Sequence, residues 1–280
     1  GMMMVEDSIP DYMHISLKGK TAVYKSELMM YEMLAQCNWE RPIYIAITVG
    51  ASNYGSLGDF FVQEGLANRI TPFRTKGKAR NIDTQKMYEN FMTRFKFGGL
   101  DNPDIYLDET VMRMCYTHRR IAAQLASKLL QEGDTEKAIK LLEYAEKMIP
   151  PYNVPHNYAS GSLEIARCWN TLGQHAKAEA ILLPMAKNMQ EYIDWYLSMP
   201  DDILLRDEEE CMYYFYQLHS VIELLQQAES KQTSEYIGVL NSRNDLFKRR
   251  ILGDAAMNMV PPTPEEVEEA VETEEAEEEA

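Results

Sequence analysis

Apolar residues recur along most of this chain at helical spacing, with one early exception. In AVYKSELMMYEMLAQC (22–37), Tyr24, Leu28, Tyr31 and Leu34/Ala35 fall on one stripe, which predicts an amphipathic helix. Asn38-Trp39-Glu40-Arg41 and Pro42 end it, and Ile-Tyr-Ile-Ala-Ile-Thr (43–48) reads as a short strand running on to Gly50. The turn formers ASNYGSLGD follow, and FFVQEGLANRITPF closes into a second strand-like piece over 67–73. Residues 12–75 therefore form a small mixed α/β unit. RTKGKARNID (74–83) reads as a polar, basic linker. Beyond it, Met87, Tyr88, Phe91, Met92 and Phe95 share a helix face, with Asp83 as N-cap and Gly98-Gly99 as the stop. A longer helix starts at the cap Asp108 and keeps Val111, Cys115, His118, Ala122, Leu125 and Leu129 in register up to Gly133.

The chain then repeats itself. Leu125, Ala126 and Leu129 precede Gly133-Asp134 and are followed by Ala138, Leu142, Ala145 and Pro150. Ile165, Ala166 and Trp169 precede Gly173-Gln174 and are followed by Ala178, Leu182 and Met185, at a constant offset of 40 residues. Small residues where two helices cross, a glycine at the turn and a proline after the second helix make up the tetratricopeptide-repeat pattern. An insertion in PPYNVPH (150–156) accounts for the length beyond the usual period, and the second unit lacks the closing proline. A third pair is expected over about 207–229 (Tyr214, Leu218, Val221/Ile222, Leu225) and 233–251 (Tyr236, Leu240, Phe247, Ile251), as a terminal cap. The fold class is mainly α: a tetratricopeptide-like α-α superhelix with a small N-terminal α/β unit. The expected divisions are 1–75, 76–255 and a disordered acidic tail at 256–280.

Composition narrows the possible functions. The 280 residues are 45% hydrophobic, enough for one large core or two modest ones. Net charge is −16, but PPTPEEVEEAVETEEAEEEA (261–280) holds ten glutamates and no basic residue, leaving −6 on the rest. A mildly acidic body argues against nucleic acid as a partner, because phosphate contacts need a basic face. No run approaches the roughly 18–20 apolar residues of a membrane span. GMMMVEDSIP has neither the basic nor the apolar region of a signal peptide, and Gly1 before Met2 reads as a tag remnant, which leaves room for an upstream extension. The four cysteines (Cys37, Cys115, Cys168, Cys211) lie far apart within helical patterns and read as small buried apolar residues, with a disulfide open in an oxidising compartment.

Catalytic and cofactor motifs are weak. LKGKT (17–21) has the lysine of a phosphate loop, but His14 stands where that loop needs its first glycine. The five histidines make no metal-binding pair, and His118 lies on an apolar stripe as a hydrogen-bonded core residue would. Catalytic residues, cofactors and metals are assigned to none. The basic cluster Arg69, Arg74, Lys76, Lys78 and Arg80 reads either as a solvated linker or as a contact for anionic lipid headgroups or a phosphate-bearing ligand. Tyr152, Asn153, His156, Asn157 and Tyr158 either rim a solenoid groove or pack their own long loop.

LKGKTAVYKSELMMYEMLAQCNWERPIYIAITVG, EGLANRITPF, KMYENFMTRFKFGG, YLDETVMRMCYTHR and YAEKMIPPYNVPHNY together resemble the C-terminal soluble part of a family of large bacterial multi-pass membrane proteins. That family was named as a domain of unknown function, and its membrane portion is similar to protein O-mannosyltransferases of the GT-C type. The resemblance covers about residues 11–200. It implies a glycosyltransferase-like inner-membrane enzyme using a lipid-linked sugar, whose catalytic acids lie in the membrane portion and match nothing here. This chain would then be a non-catalytic, extracytoplasmic accessory domain at the periplasmic face, binding a protein, peptide or glycan partner through its helical-repeat surface. The upstream membrane domain of the same polypeptide would be a second partner, met by the α/β unit. Partner-binding candidates are Trp39, Arg41, Arg69, Arg74, Tyr152, Asn153, Asn157 and Tyr158. The alternatives are a free-standing cytoplasmic tetratricopeptide-repeat adaptor and an enzyme using the N-terminal unit as a phosphate or sugar site.

Overall fold

The structure is a computed structural model that describes residues 12–74 and 81–252. Lys76, Lys78, Arg80 and the acidic tail lie outside the described residues. The protein is mainly α, with a small sheet near its N-terminus, and divides into two compact units, 1–182 and 183–280.

In the first unit, helix α1 spans Lys25–Gln36. Its core-facing stripe is Glu27, Met30, Tyr31 and Leu34, whereas Tyr24 and Leu28, placed on that stripe by the sequence pattern, are exposed. The reason is Glu27. Its carboxylate is buried, accepts a hydrogen bond from the Tyr24 amide (2.9 Å) and pairs with Lys20, so a charged residue occupies a position the pattern reserves for apolar ones. That pairing also engages the lysine of LKGKT.

Four short strands follow: β1 (Tyr44–Ala46), β2 (Phe61–Gln63), β3 (Ala67–Ile70) and β4 (Asn81–Ile82), in the order β1-β3-β2-β4. The first two pairings are antiparallel, with Tyr44 opposite Arg69 and Val62 opposite Arg69; β4 runs parallel to β2, with Asn81 beside Val62. β1 is half the length its apolar run suggests, because the chain turns after Ala46 (Val49 amide to Ala46 carbonyl, 3.1 Å). β4 falls in the stretch read as linker; two residues are too few to show a strand period. Leu34, Leu57, Phe60, Phe61 and Ile70 form the core under the sheet.

Helix α2 (Thr84–Glu89) is capped by Asp83 as expected, its side chain accepting from the Lys86 amide at 3.0 Å. It widens into a π turn over Asn90–Arg94, and the backbone is extended at Phe95, before the glycines expected to stop it. The π turn lets the Asn90 amide reach the Glu64 carbonyl (2.7 Å) while Phe91 stays fully buried against Phe95, Phe97 and Tyr144.

α3 (Glu109–Gln131), capped by Asp108, packs against α2, α4 (Thr135–Met148), α5 (Ser162–Thr171) and the 3-10 turn Tyr158–Ser160. The α3–α4 turn places Gly133 at φ +81°, with the Asp134 amide bonded to the Leu129 carbonyl (2.9 Å). Forty residues on, Gly173 (φ +68°) and the Gln174 amide to Trp169 carbonyl bond (2.9 Å) repeat the turn into α6 (His175–Leu197). The small residues Ala126, Ala138, Ala166 and Ala178 are completely buried. Gly161 serves a different purpose: a Cβ there would lie 2.9 Å from the Arg120 Cα, so only glycine admits the close approach of α3 to the start of α5.

The second unit holds the end of α6, then α7 (Asp201–Arg206), α8 (Glu208–Gln227) and α9 (Thr233–Leu252). α8 and α9 match the expected third pair, and α7 is an addition that the repeat pattern did not contain. Glu229, at φ +54°, takes the glycine's place in the α8–α9 turn, and the Ser230 amide bonds to the Leu225 carbonyl at 3.0 Å. Arg250 clamps the start of this unit by donating to the Leu197 and Met199 carbonyls (2.6 Å each) and to Asp201.

All four cysteines are free, and burial pushes the Cys168 and Cys211 thiols up to about 12 and about 11. Among the described residues no helix is long and apolar enough to cross a membrane.

His156 gives a pH test of the long loop. It bonds to the Ser162 hydroxyl (2.8 Å), and burial, aided by the Arg119 charge, lowers its pKa from 6.5 to about 3. Between those values the unfolded chain binds a proton that the folded chain refuses. The stabilising contribution is therefore full above pH 6.5 and is lost as pH falls toward 3. Urea unfolding at pH 7 and pH 5 should show the native protein losing about 2 kcal/mol more than a His156→Gln variant.

Candidate binding cleft

A cleft of about 820 Å³ opens in the first unit between the α1–β1 turn, the sheet face at β1, β3 and β4, the start of α2 and the end of α3. Trp39, Arg41 and Arg69, three of the residues singled out in the sequence, line it together with Tyr44, Asn81, Thr84, Lys86, Lys128 and Glu132.

Trp39 stands at this cleft on an unusual backbone. Asn38 and Trp39 take φ +43° and +57° in succession. The left-handed region tolerates asparagine but strains a bulky side chain, at a cost of roughly 1–3 kcal/mol. The turn, fixed by the Glu40 amide to Cys37 carbonyl bond (3.1 Å), leaves the indole 40% exposed.

Beside the cleft lies a buried carboxylate that sequence reasoning missed. Glu64, 5% exposed, accepts the Tyr44 hydroxyl proton (2.8 Å) and pairs with Lys86 (2.6 Å) and Arg69 (2.7 Å). The Arg69 contact is an ion pair only: neither Arg69 Nε nor Glu64 Oε1 has a hydrogen-bond partner among the described residues. The hydrogen bond to Glu64 holds the Lys86 ammonium above its usual range. One acid thus joins β1, β3 and α2. In the sequence it was one glutamate before a glycine, with nothing to mark it as buried.

Arg69 and Lys86 are engaged by Glu64, and Glu132 accepts from Thr84 (2.9 Å). Arg41 and Lys128 have no ion-pair partner among the described residues. The Asn81 amide nitrogen is buried without an acceptor among the described residues. Among the described residues no group of His, Cys, Asp or Glu could hold a metal ion.

A second, shallower groove of about 490 Å³ adjoins the cleft at Ile82 and Lys128. It follows α3 along Arg120, Ala123, Gln124, Ser127 and Gln131 and reaches Gly161 and Glu164 at the start of α5. This spacing is one face of α3, bordered at its end by the start of α5.

The other candidates lie elsewhere. Arg74 pairs with Asp59 (3.3 Å) and sits 5.7 Å from the centre of the Phe60 ring. Tyr152 donates to the Asp101 carbonyl (2.7 Å), and Asn153 donates to the Leu100 and Asn102 carbonyls (2.8 and 2.7 Å), which ties the long loop to the turn before α3. Asn157 precedes the 3-10 turn that begins at Tyr158, and its backbone amide donates to the Ser160 hydroxyl at 3.2 Å.

Because Arg69 and Lys86 keep partial solvation, Glu64→Gln should destabilise the protein by about 1–3 kcal/mol, less than breaking a fully buried pair. Lys86→Met should cost under about 1 kcal/mol. Urea unfolding of both variants checks the ranking; equal losses would mean that Glu64 is not the joint.

A family model described as TMEM260-associated domain 2 matches residues 1–87. No curated protein and no solved structure matches the chain. The matched stretch contains α1, all four strands and the start of α2, hence Trp39, Arg41, Tyr44, Glu64, Arg69 and Lys86, and stops short of Lys128. The first third of the chain is therefore similar to a domain associated with the TMEM260 family, and α3 and everything after it lie outside the match.

Proposed function

We propose that this chain is a non-catalytic accessory domain of a membrane glycosyltransferase-like protein. It lies on the extracytoplasmic side and binds a protein, peptide or glycan partner on its tetratricopeptide-like face. The observation that carries this reading is the pair of helix hairpins closed by the same left-handed turn at Gly133 and Gly173, whose first helices line the groove along α3 and α5. Stacked helix pairs of this kind create extended concave surfaces that bind partners. The similarity of residues 1–87 to a TMEM260-associated domain favours a membrane-enzyme setting over a free-standing cytoplasmic adaptor. The α/β unit would then face the membrane domain, with the repeats presenting the acceptor.

Groove-blocking substitutions test it. Gln124→Arg with Ser127→Arg adds bulk on the groove face. Immobilised protein should capture a defined partner from membrane-envelope extracts, and the double variant should retain at least about tenfold less of it at unchanged unfolding midpoint. Capture that survives the double substitution would remove the groove from the binding surface.

A further inference from the structure

We propose that the Trp39 cleft is a site for an acidic sugar: a hexose carrying a phosphate or a carboxylate, with its ring against the indole of Trp39 and its acidic group on Arg41 and Lys128. The proposal uses a different site from the repeat groove and stands on the cleft alone.

Three observations converge on this ligand class. Trp39 is held partly exposed on the cleft wall by two consecutive left-handed residues, a conformation an indole does not adopt unforced. Strain of this kind concentrates at ligand clamps. A flat aromatic face accepts the apolar C–H face of a pyranose ring while leaving the sugar's hydroxyl groups at its rim. The cations in the cleft are of two kinds. Arg69 and Lys86 are both held by Glu64, whose single charge offsets one of the two, whereas Arg41 and Lys128 have no ion-pair partner among the described residues. A pair of unmatched cations on the walls asks for an anion, and a guanidinium can grip a phosphate or carboxylate through two parallel N–H donors. Finally, Asn81 on the same wall keeps an amide donor without an acceptor among the described residues, which a ligand oxygen entering beside it would satisfy.

A neutral sugar would leave Arg41 and Lys128 unmatched, and free phosphate would leave the Trp39 platform without a purpose. The cleft, at about 820 Å³, is within the size range of small-molecule sites. Glu132 accepts from Thr84 and Asp83 from the Lys86 amide, and both keep their negative charge. Arg41, Arg69, Lys86 and Lys128 against Glu64, Asp83 and Glu132 still leave one positive charge in excess, which an acidic group on the ligand would offset.

Isothermal titration with glucose 6-phosphate, glucuronate, glucose, inorganic phosphate and AMP tests the assignment on the whole chain. The expected result is saturable binding of glucose 6-phosphate or glucuronate at least tenfold tighter than glucose or inorganic phosphate; which of the two binds tighter identifies the acidic group. Trp39→Ala and the double variant Arg41→Ala, Lys128→Ala should each weaken it at least tenfold. The double variant keeps the test valid if Trp39→Ala does not fold. Gln124→Ala with Ser127→Ala alters the groove without adding charge beside Lys128 and should leave sugar binding unchanged, which separates failure here from failure of the groove reading. No binding at millimolar concentration, phosphate bound as tightly as the sugar phosphate, AMP bound more tightly than either acidic sugar, or unchanged affinity in the double variant would each overturn the proposal.

Discussion

The first unit depends on one buried cation. Arg119, 2% exposed near the middle of α3, donates to the carbonyls of Ile149 and Pro155 at 3.0 Å and of Val154 at 2.5 Å. Among the described residues no carboxylate pairs with it directly. Burial lowers its pKa from 12.5 to about 10, so it stays charged at neutral pH and its charge is met by carbonyl dipoles. The carbonyls belong to the C-cap of α4 (Ile149) and to the insertion that separates the two helix hairpins (Val154, Pro155), where the chain leaves α4. A backbone there would otherwise be buried with its acceptors unpaired. Arg119 supplies three donors at once, and Tyr152 and Asn153 tie the outer side of the same loop to residues 100–102. The result fixes where α5 begins, and Gly161 then lets it meet α3 at van der Waals distance.

What α3 carries on its other faces explains why this matters. Lys128 and Glu132 close one end of the cleft, and Arg120, Gln124, Ser127 and Gln131 form the wall of the groove. One helix thus contributes to both surfaces. On the opposite side of the cleft, Glu64 does for the sheet what Arg119 does for the repeats: a buried charge whose several partners come from different elements, β1, β3 and α2. The two joints use opposite signs. The acid is matched by cations that remain partly solvated, and the arginine by neutral carbonyls. Both cost desolvation, and both restrict which arrangement of elements keeps the buried charge matched.

The helix hairpins and their turns were legible because their determinants are local. Gly133 and Gly173 mark left-handed turns directly, and the buried alanines keep the spacing that lets helices cross. The third turn shows the limit, since Glu229 adopts the same geometry with no glycine to announce it. The stripe of α1 was misplaced because Glu27 is a charged residue in a core position, and β4 escaped notice because its two residues are defined only by pairing with β2. The cleft was half visible. Trp39, Arg41 and Arg69 stood out by residue type, whereas Glu64, Lys86, Lys128 and Asn81 come together from positions far apart, through pairings that composition does not encode. Tyr152 and Asn153 stood out for the opposite reason: their polar atoms serve the loop itself.

Amide hydrogen exchange on an Arg119→Met variant tests most directly whether the clamp on α3 governs this surface. Removing the guanidinium leaves the buried Ile149 and Val154 carbonyls and the part-buried Pro155 carbonyl without its donors, which should lower the unfolding free energy by about 3 kcal/mol. Exchange should quicken over residues 149–157 and along the groove half of α3, while α8 and α9, in the other unit, keep their native rates. A variant that loses under about 1 kcal/mol and shows native exchange at both 149–157 and 120–131 would contradict the account. It would mean that apolar packing of α3 against α4 and α5 holds the loop and the binding wall by itself.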